Sequence, residues 1–258
     1  MSLSTDHLTG TGRAAATGTS RAVAPVSGAM LGTVLVTGAA SGLGRAIAEA
    51  VGAAGGRPLC LDRVAPADPP GDDPPILCDL ADTRAAEAAV AEAVARAGGL
   101  NAVVTAAGTD ACGDLGDVPG ADWDRTVLVN LLGTAAVVRA ALPALRESRG
   151  RVVTVASTLG FRALPAATAY CASKFGVVGF SRALAAELAG QVGVTMLVPG
   201  GMRTAFFDGR PDQFKPAPDA QLNDPAEVAE AVLFALTRPP GVELRELVVC
   251  PAEEPSWP

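Results

Sequence analysis

Short apolar runs alternate with longer segments of helical periodicity along most of the chain. The runs at 33–36, 57–61, 102–105 and 151–155 are rich in Val, Leu and Ala. Continuous apolar runs of this length are typical of strands that are buried on both faces of a parallel sheet. The pattern therefore predicts a single-domain α/β fold with a doubly wound parallel sheet of about seven strands.

The other elements follow from the same pattern. Asp82 or Thr83 is expected to cap the second helix, and Asp224 before Pro225 is expected to cap the last. The remaining predicted strands are 76–78, 194–198 and 246–250, and the predicted helices are 45–51, 83–97, 122–145, 169–188 and 225–236.

Composition limits the possible partners. The net charge of −7 argues against nucleic acid and against an anionic membrane. No uninterrupted apolar run reaches the length of a membrane span. Residues 1–29 are rich in Ser, Thr, Gly and Ala and lack the pattern of a signal peptide. They predict a disordered leader in front of a folded domain at 30–258.

Cysteine and histidine usage narrows the chemistry. The five Cys residues show no metal-binding spacing, so we expect no metal site and a reduced, cytoplasmic protein. The one His, His7, lies in the predicted leader. Its position excludes a Ser-His-Asp triad and a zinc site built from His in the folded domain.

A glycine-rich turn follows the first predicted strand and precedes the first helix. Its members Gly38, Gly42 and Gly44 permit a tight turn and a close approach of backbone to ligand. A strand, a turn and a helix in this order point a helix N-terminus at a phosphate. The segment is therefore predicted to bind the phosphates of a dinucleotide.

Asp62 ends the second strand, about 20 residues after the glycines, where a carboxylate binds the ribose diol of adenosine. The same carboxylate repels a 2′-phosphate, which favours NAD over NADP. Arg63 follows directly and opposes this choice, because a cation there would attract the phosphate. Asp79, at the end of the third strand, is a candidate partner for the adenine amino group.

Tyr170 and Lys174 are four residues apart and therefore share one face of a predicted helix. A free phenol has a pKa of about 10. We expect the Lys174 ammonium and the helix N-terminus to lower the pKa of Tyr170, which would make it a general acid/base near neutral pH. An isolated pair of this kind more often marks a half-buried Tyr beside a solvated Lys.

Two further polar residues accompany this pair. Ser157 lies just past the fifth strand, at the edge of the sheet where ligands bind in open α/β folds. Asn130 lies inside an apolar helical run, and a buried amide must find partners. Asn130 either bonds a neighbouring backbone carbonyl or bends its helix and holds a water near Lys174.

These motifs occur in one order and spacing, and from about residue 31 to the end the chain resembles the short-chain dehydrogenase/reductase family. The matching motifs are the turn Thr37-Gly-Ala-Ala-Ser-Gly-Leu-Gly44, Asp79-Leu80, Asn130, Ser157, Tyr170-x-x-x-Lys174 and Pro199-Gly200-x-x-x-Thr204. The resemblance implies a Rossmann-type dinucleotide-binding catalytic domain over 30–258. It also implies hydride transfer between a nicotinamide and an alcohol/ketone pair.

The resemblance also implies residue roles. Tyr170 would be the acid/base, Ser157 would bind the substrate oxygen, and Lys174 would contact the nicotinamide ribose and lower the pKa of Tyr170. Asn130 would hold a water in a proton relay, and Thr204 would meet the nicotinamide carboxamide. The predicted cofactor contacts are Gly38, Ser41, Gly42, Leu43, Gly44, Asp62, Asp79, Leu80, Ala107, Gly108, Tyr170, Lys174, Pro199, Gly200 and Thr204.

One segment departs from the family pattern. The family usually has Asn-Asn-Ala-Gly after the fourth strand, where this chain has Thr105-Ala106-Ala107-Gly108. We expect Thr105 to replace part of the missing amide's hydrogen bonding, with a small change in stability. The family also commonly forms tetramers or dimers through the helices that carry Asn130 and Tyr170, so a homotetramer or homodimer is expected.

The substrate is expected to be a small, apolar alcohol or ketone, because most candidate pocket residues are apolar. Arg162 or Arg203 would instead meet a carboxylate, although either suits a solvated surface. Residues 205–218 suggest a mobile lid. The candidate pocket residues are Thr158, Leu159, Phe161, Leu164, Pro165, Ala107, Thr109, Phe206 and Phe207.

Three functions remain open from the sequence. The first is an NAD-dependent dehydrogenase that oxidises alcohols in the cell. The second is an NADP-dependent biosynthetic ketoreductase, for which Arg63 would be decisive. The third is a dinucleotide-binding sensor without turnover, which the presence of both Ser157 and Tyr170 argues against.

Overall fold

The structure is a computed structural model, and it describes residues 31–257. The predicted leader at 1–29 lies outside these residues. Seven parallel strands form one sheet in the order β3-β2-β1-β4-β5-β6-β7, as the sequence predicts. The strands are β1 (Thr33–Thr37), β2 (Arg57–Asp62), β3 (Ile76–Leu77), β4 (Ala102–Thr105), β5 (Arg151–Val155), β6 (Gly193–Pro199) and β7 (Glu246–Val249).

Within residues 31–257, six α-helices cover the two faces of this sheet. Asp82 caps the second helix and Asp224 caps the last, each accepting hydrogen bonds from backbone N–H groups. The helices are α1 (Gly42–Ala53), α2 (Thr83–Ala97), α3 (Gly120–Val127), α4 (Thr134–Ser148), α5 (Thr168–Glu187) and α6 (Pro225–Leu236).

Side chains along each strand alternate between two cores. Leu35 packs in the core that includes α2 and α4, whereas its neighbours Val34 and Val36 pack in the core that includes α1 and α6. This alternation has the two-residue period of an extended strand. Burial on both faces explains why the strand sequences are apolar throughout.

One predicted helix differs in its middle. The segment at 122–145 is part of a longer helical stretch, Gly120–Ser148, in which a π-helical turn, Leu128–Gly133, separates α3 from α4. This stretch is long and apolar enough to cross a membrane by length and composition, but Arg139 interrupts its apolar residues, so the expectation of no uninterrupted apolar run of this length is not contradicted. Its residues Val137 and Leu145 are fully buried in the core, as in a core helix of a globular fold.

The chain order reverses direction between β1 and β4, which lie side by side in the centre. At such a switch point the loops after the two strands diverge and leave a crevice at their carboxyl ends. The Thr37 hydroxyl accepts a 3.1 Å hydrogen bond from the Ala107 N–H and joins the two loops at the base of this crevice.

Thr105, at the end of β4, does not replace the family's amide. Its hydroxyl oxygen is buried and has no hydrogen-bond partner among the described residues, so that expectation is wrong. Thr105 lies in the centre of the sheet, between its register partners Thr37 on β1 and Thr154 on β5. Its register partner on β5, Thr154, is also buried and lies 2.6 Å from the Ser181 hydroxyl.

Thr105→Val is therefore expected to stabilise the fold by about 1 kcal/mol, because it removes an unsatisfied buried hydroxyl at nearly constant shape. The matched change Thr154→Val is expected to cost about 1–2 kcal/mol, because it leaves the Ser181 hydroxyl without this partner. The free energy of unfolding in urea measures both. Equal destabilisation by the two changes would show that Thr105 has a partner in solution.

Candidate active site

Helix α5 brings Tyr170 and Lys174 to the carboxyl end of β5. The Lys174 ammonium is buried and donates a 2.8 Å hydrogen bond to the carbonyl oxygen of Val155, the last residue of the strand. Its nitrogen lies 5.6 Å from the centre of the Tyr170 ring. Ser157 follows two residues after Val155 in extended conformation and begins a 3₁₀ turn. Tyr170, Lys174 and Ser157 therefore meet at one place.

Burial dominates the electrostatics of this group. Burial raises the pKa of Tyr170 to about 12, and the neighbouring Ser157 hydroxyl acts in the opposite direction and lowers it. Burial also lowers the pKa of Lys174 to about 8. The prediction that Lys174 lowers the pKa of Tyr170 is therefore wrong for the free protein. The ammonium is directed at the Val155 carbonyl, and loss of water around the phenol has the larger effect.

Asn130 lies in the π-helical turn and is fully engaged. Its Oδ1 accepts from the Thr109 N–H at 2.8 Å, and its Nδ2 donates to the Thr109 carbonyl at 2.9 Å and to the Ser173 hydroxyl at 3.0 Å. Ser173 in turn donates to the Tyr170 carbonyl at 2.8 Å. The predicted bond from Asn130 to a backbone carbonyl is confirmed. A role in holding a water stays a prediction.

Gly108 marks the point where these groups approach the β4 loop. A Cβ atom on Gly108 would lie 3.5 Å from Asn130 Oδ1 and 4.0 Å from Lys174 Nζ. The backbone after β4 therefore runs directly past the two side chains. Asn130 holds this loop through Thr109, so the same amide positions the loop and borders the site.

The glycine-rich turn has the backbone geometry that a phosphate site needs. Gly38 and Gly42 have φ angles of 71° and 54°, which favour glycine. A Cβ on Gly44 would come within 2.2 Å of the Gly38 carbonyl oxygen, so the start of α1 packs tightly against the turn. Ser41 makes no side-chain cap, and the first turn of α1 contains no acidic residue. Among the described residues, no side chain caps the backbone N–H groups at the start of α1, so these N–H groups can bind an anion.

A family model described as short chain dehydrogenase matches residues 32–213. The chain belongs to the short-chain dehydrogenase/reductase family. It is therefore an oxidoreductase with a Rossmann-type fold, which confirms the resemblance seen in the sequence.

Individual members of the family agree with this assignment. The chain is 33% identical over 226 residues to an uncharacterized oxidoreductase of Staphylococcus aureus, covering 84% of this chain and 96% of that protein. It is 36% identical over 217 residues to a D-threitol dehydrogenase of Mycolicibacterium smegmatis, covering 78% and 84%. The structure of a short-chain type dehydrogenase/reductase from Mycobacterium marinum matches with a TM-score of 0.75 at 26% identity, covering 84% and 93%.

In this short-chain dehydrogenase/reductase the crevice fits a nicotinamide dinucleotide. Thr204, after β6, packs over the glycine-rich turn, since its methyl group would lie 3.4 Å from a Cβ on Gly42. Leu43 and Leu80 are buried, Leu43 in the core that includes α1 and α6 and Leu80 in the core that includes α2 and α4. Pro199 ends β6 next to Gly200, and Ala107 and Gly108 follow β4, so these residues lie at the carboxyl edge as predicted.

Asp62 also holds the glycine-rich turn, a contact that the sequence did not predict. Its Oδ2 accepts from the Ala40 N–H of the glycine-rich turn at 2.9 Å, and its Oδ1 accepts from the Val64 N–H at 3.3 Å. Each carboxylate oxygen retains another acceptor position, so contact with a ribose stays a prediction. Asp79 accepts from the Arg125 guanidinium at 2.9 Å, which competes with its predicted contact with adenine.

The substrate side is only partly as predicted. Phe206 lies over the phenol, with 5.8 Å between its ring centre and that of Tyr170, and Phe207 lies next to it. Phe161 is not part of this pocket. Its ring packs 5.5 Å from Trp257 and is partly buried against a separate hydrophobic cluster that includes Val177.

The two candidate arginines bind other groups. Arg162 donates to the Pro255 carbonyl and Arg203 to the Leu222 carbonyl, so the structure lends no support to their binding a carboxylate. Thr158 is buried and bonded to the Ser256 hydroxyl, whereas Leu164 is exposed. The segment predicted as a lid contains the 3₁₀ turns Ala205–Phe207 and Asp212–Phe214, and its mobility stays a prediction.

Sequence reasoning missed residues that border the site. Asp110 and Arg210 form an ion pair beside Tyr170. The carboxylate of Glu254 accepts a 2.9 Å hydrogen bond from the Gly201 N–H, in the loop that leads to Thr204. No motif marks these residues. The positions of Asp110 two residues after Gly108, and of Arg210 inside the lid segment, are the signals that point to them.

Proposed function

We propose that the protein transfers a hydride between NAD(H) and an alcohol or ketone, with Tyr170 as the general acid/base. The observation that carries this proposal is the meeting of Tyr170, Ser157 and Lys174 under Phe206, beside a glycine-rich turn that fits a dinucleotide phosphate. An apolar alcohol or ketone suits the rings of Phe206 and Phe207. In the cell, we propose that the direction is alcohol oxidation.

The residues of this chain would transfer the proton and bind the substrate oxygen. A bound nicotinamide would supply the hydride chemistry at the carbinol carbon. In oxidation, Tyr170 takes the hydroxyl proton while the substrate oxygen is held by Ser157, and in reduction it returns that proton to the carbonyl oxygen. The phenol of the free protein is protonated at neutral pH, which suits the acid role. The base role needs added positive charge near the phenol.

Tyr170→Phe is expected to reduce turnover about 100-fold or more, because it removes the proton-transferring group, and to leave NADH binding intact. Ser157→Ala is expected to lower turnover in the same way. Steady-state rates with alcohols and ketones, together with NADH fluorescence titration, measure both effects. Near-normal turnover in Tyr170→Phe would remove this residue from the proposed role.

The choice of NAD rests on the charges at the end of β2. Asp62 places a carboxylate there, and the opposing cation Arg63 lies near Asp79, whose pKa it helps to lower. Asp79 therefore offsets part of the attraction that Arg63 would exert on a 2′-phosphate. Use of NADP in a biosynthetic reduction is the second candidate, and Arg63, exposed beside Asp62, is the observation that favours it.

Asp62→Asn is expected to shift the preference toward NADPH by about tenfold, or about 1.4 kcal/mol, because it removes the charge but keeps an acceptor oxygen for Ala40. Asp72 is an exposed residue in the following loop. The matched control, Asp72→Asn, should leave the ratio of the two affinities unchanged. Separate fluorescence titrations with NADH and NADPH give both affinities. An unchanged ratio in Asp62→Asn would show that another group selects the cofactor.

We also propose a homotetramer or homodimer formed through the helices that carry Asn130 and Tyr170. Two large apolar side chains on these elements, Leu132 and Phe175, remain 46% and 45% exposed. Contact with a second copy would cover them.

A cytoplasmic location is part of the same proposal and is supported by the absence of disulfides among the described residues.

Phe175→Glu is expected to reduce the mass of the assembly in solution, because a carboxylate in an apolar interface loses its water. Leu77→Glu, at a side chain that is 61% exposed on the edge strand β3, should leave the mass unchanged. Light scattering after gel filtration measures both. A wild-type monomer, or an unchanged Phe175→Glu assembly, would contradict this interface.

A further inference from the structure

A buried ion pair joins two loops beside the phenol. Asp110 lies in the loop after β4, and Arg210 lies in the segment after β6. The Arg210 Nη2 donates to Asp110 Oδ2 at 2.6 Å, and the two side chains are only 17% and 7% exposed. Cys112 Sγ donates to the same oxygen at 3.0 Å. The Ala111 N–H donates to Oδ1 at 2.7 Å.

Arg210 connects this pair to the phenol through aromatic contacts. Its guanidinium carbon lies 5.0 Å from the ring centre of Phe206 and 4.6 Å from that of Phe207. Phe206 in turn contacts the Tyr170 ring. The Arg210 Nη1 donates to the Phe214 carbonyl at 3.3 Å. One guanidinium thus binds both 3₁₀ turns of the segment that covers the site.

The location of this pair is unusual for a device that only stabilises the fold. Burying two charges costs free energy that their attraction often fails to repay. The Arg210 Nε is in addition buried without a hydrogen-bond partner among the described residues. We therefore infer that the pair positions the loops and charges around Tyr170 rather than adding to the stability of the fold.

We propose that Asp110 and Arg210 are positioning residues for Tyr170, which hold Phe206 against its ring and balance each other's charge beside the phenol. This proposal rests on the proposed role of Tyr170. Neither residue needs to touch the substrate. Because Arg210 is matched by Asp110, the pair offers no unpaired cation to an anionic substrate, which agrees with a neutral alcohol or ketone.

Charges on several elements act on the phenol. Asp110 raises the pKa of Tyr170 and Arg210 lowers it, so removing either one leaves the other unbalanced. The groups facing Tyr170 are Ser157 after β5, Asp110 after β4, Arg210 after β6, and Cys171 and Lys174 on α5. Burial and Asp110 raise the pKa of Cys112 to about 12, so its thiol stays protonated.

The test uses the fact that Tyr170 is the one tyrosine of the chain. Near-ultraviolet absorbance of phenolate therefore reports this residue directly and without any substrate. The full-length protein and the variants Asp110→Asn and Arg210→Gln are compared at one alkaline pH at which circular dichroism shows all three to be folded. Both variants lose the same ion pair, but they leave charges of opposite sign beside the phenol.

The expected result is more phenolate than wild type in Asp110→Asn and less in Arg210→Gln, with the double variant close to wild type. Asp110→Glu keeps a carboxylate at this pH and should show the wild-type amount of phenolate, so its comparison with Asp110→Asn remains decisive even if Arg210→Gln does not fold. Changes in the same direction, or no change, would overturn the proposal, because a purely structural role predicts one of these. Arg57→Gln, which breaks a distant ion pair with Asp73, is the matched control and should match wild type.

Turnover measured on the same samples separates the two proposals. Opposite phenolate shifts together with a lower kcat in both variants would support the positioning role and the proposed function. Opposite shifts in a protein that turns over no alcohol or ketone would leave the loop geometry supported and reject the proposed function. If the wild-type protein turns over normally but the two variants show no opposite phenolate shifts, only the positioning role is rejected.

Discussion

The hydrogen bond from the buried Lys174 ammonium to the Val155 carbonyl joins helix α5 to the end of the central strand β5. An ammonium without such a partner would be costly to bury, so this contact fixes the helix relative to the sheet. Tyr170 lies one turn earlier on the same helix, and Ser157 lies two residues beyond Val155. The meeting of the three side chains therefore depends on this bond, together with the contacts of Ser173 and Ser181 that also hold α5.

The phenol of Tyr170 is subject to opposing influences. Burial favours the neutral form, whereas Ser157 and Arg210 favour the phenolate. In the free protein burial prevails, and the phenol is held protonated. A residue in this balance responds strongly to each added charge, which is why the neighbouring ion pair matters even though it lies outside the reacting group.

Several residues that border the crevice also hold the backbone of its loops in place. Asp62 accepts hydrogen bonds from the turn that is to bind phosphate, and Asn130 holds the loop after β4 through Thr109. Substitution of either residue would therefore alter both the loop and any contact with a ligand. This double use explains why charge-removing changes that keep an acceptor oxygen are more informative here than truncation to alanine.

The sequence by itself determined the fold and the order of the motifs. Strands β4 and β5, helices α2 and α6 and their caps lie where predicted, because apolar periodicity and capping are local properties of the chain. The carboxyl-edge position of Ser157 followed from the rule that parallel strands end at one edge, whereas Thr204 was indicated by the family motif.

Only the tertiary structure decided the electrostatics and the far contacts. The pKa of Tyr170 depends on burial by Phe206 and on Asp110 and Arg210, which are distant from it in the chain. The π-helical turn at Asn130, the packing of Phe161 on Trp257 and the lack of a partner for the Thr105 hydroxyl among the described residues likewise arise from packing between elements. Burial and charge are properties of the folded arrangement, and no local pattern of residues encodes them.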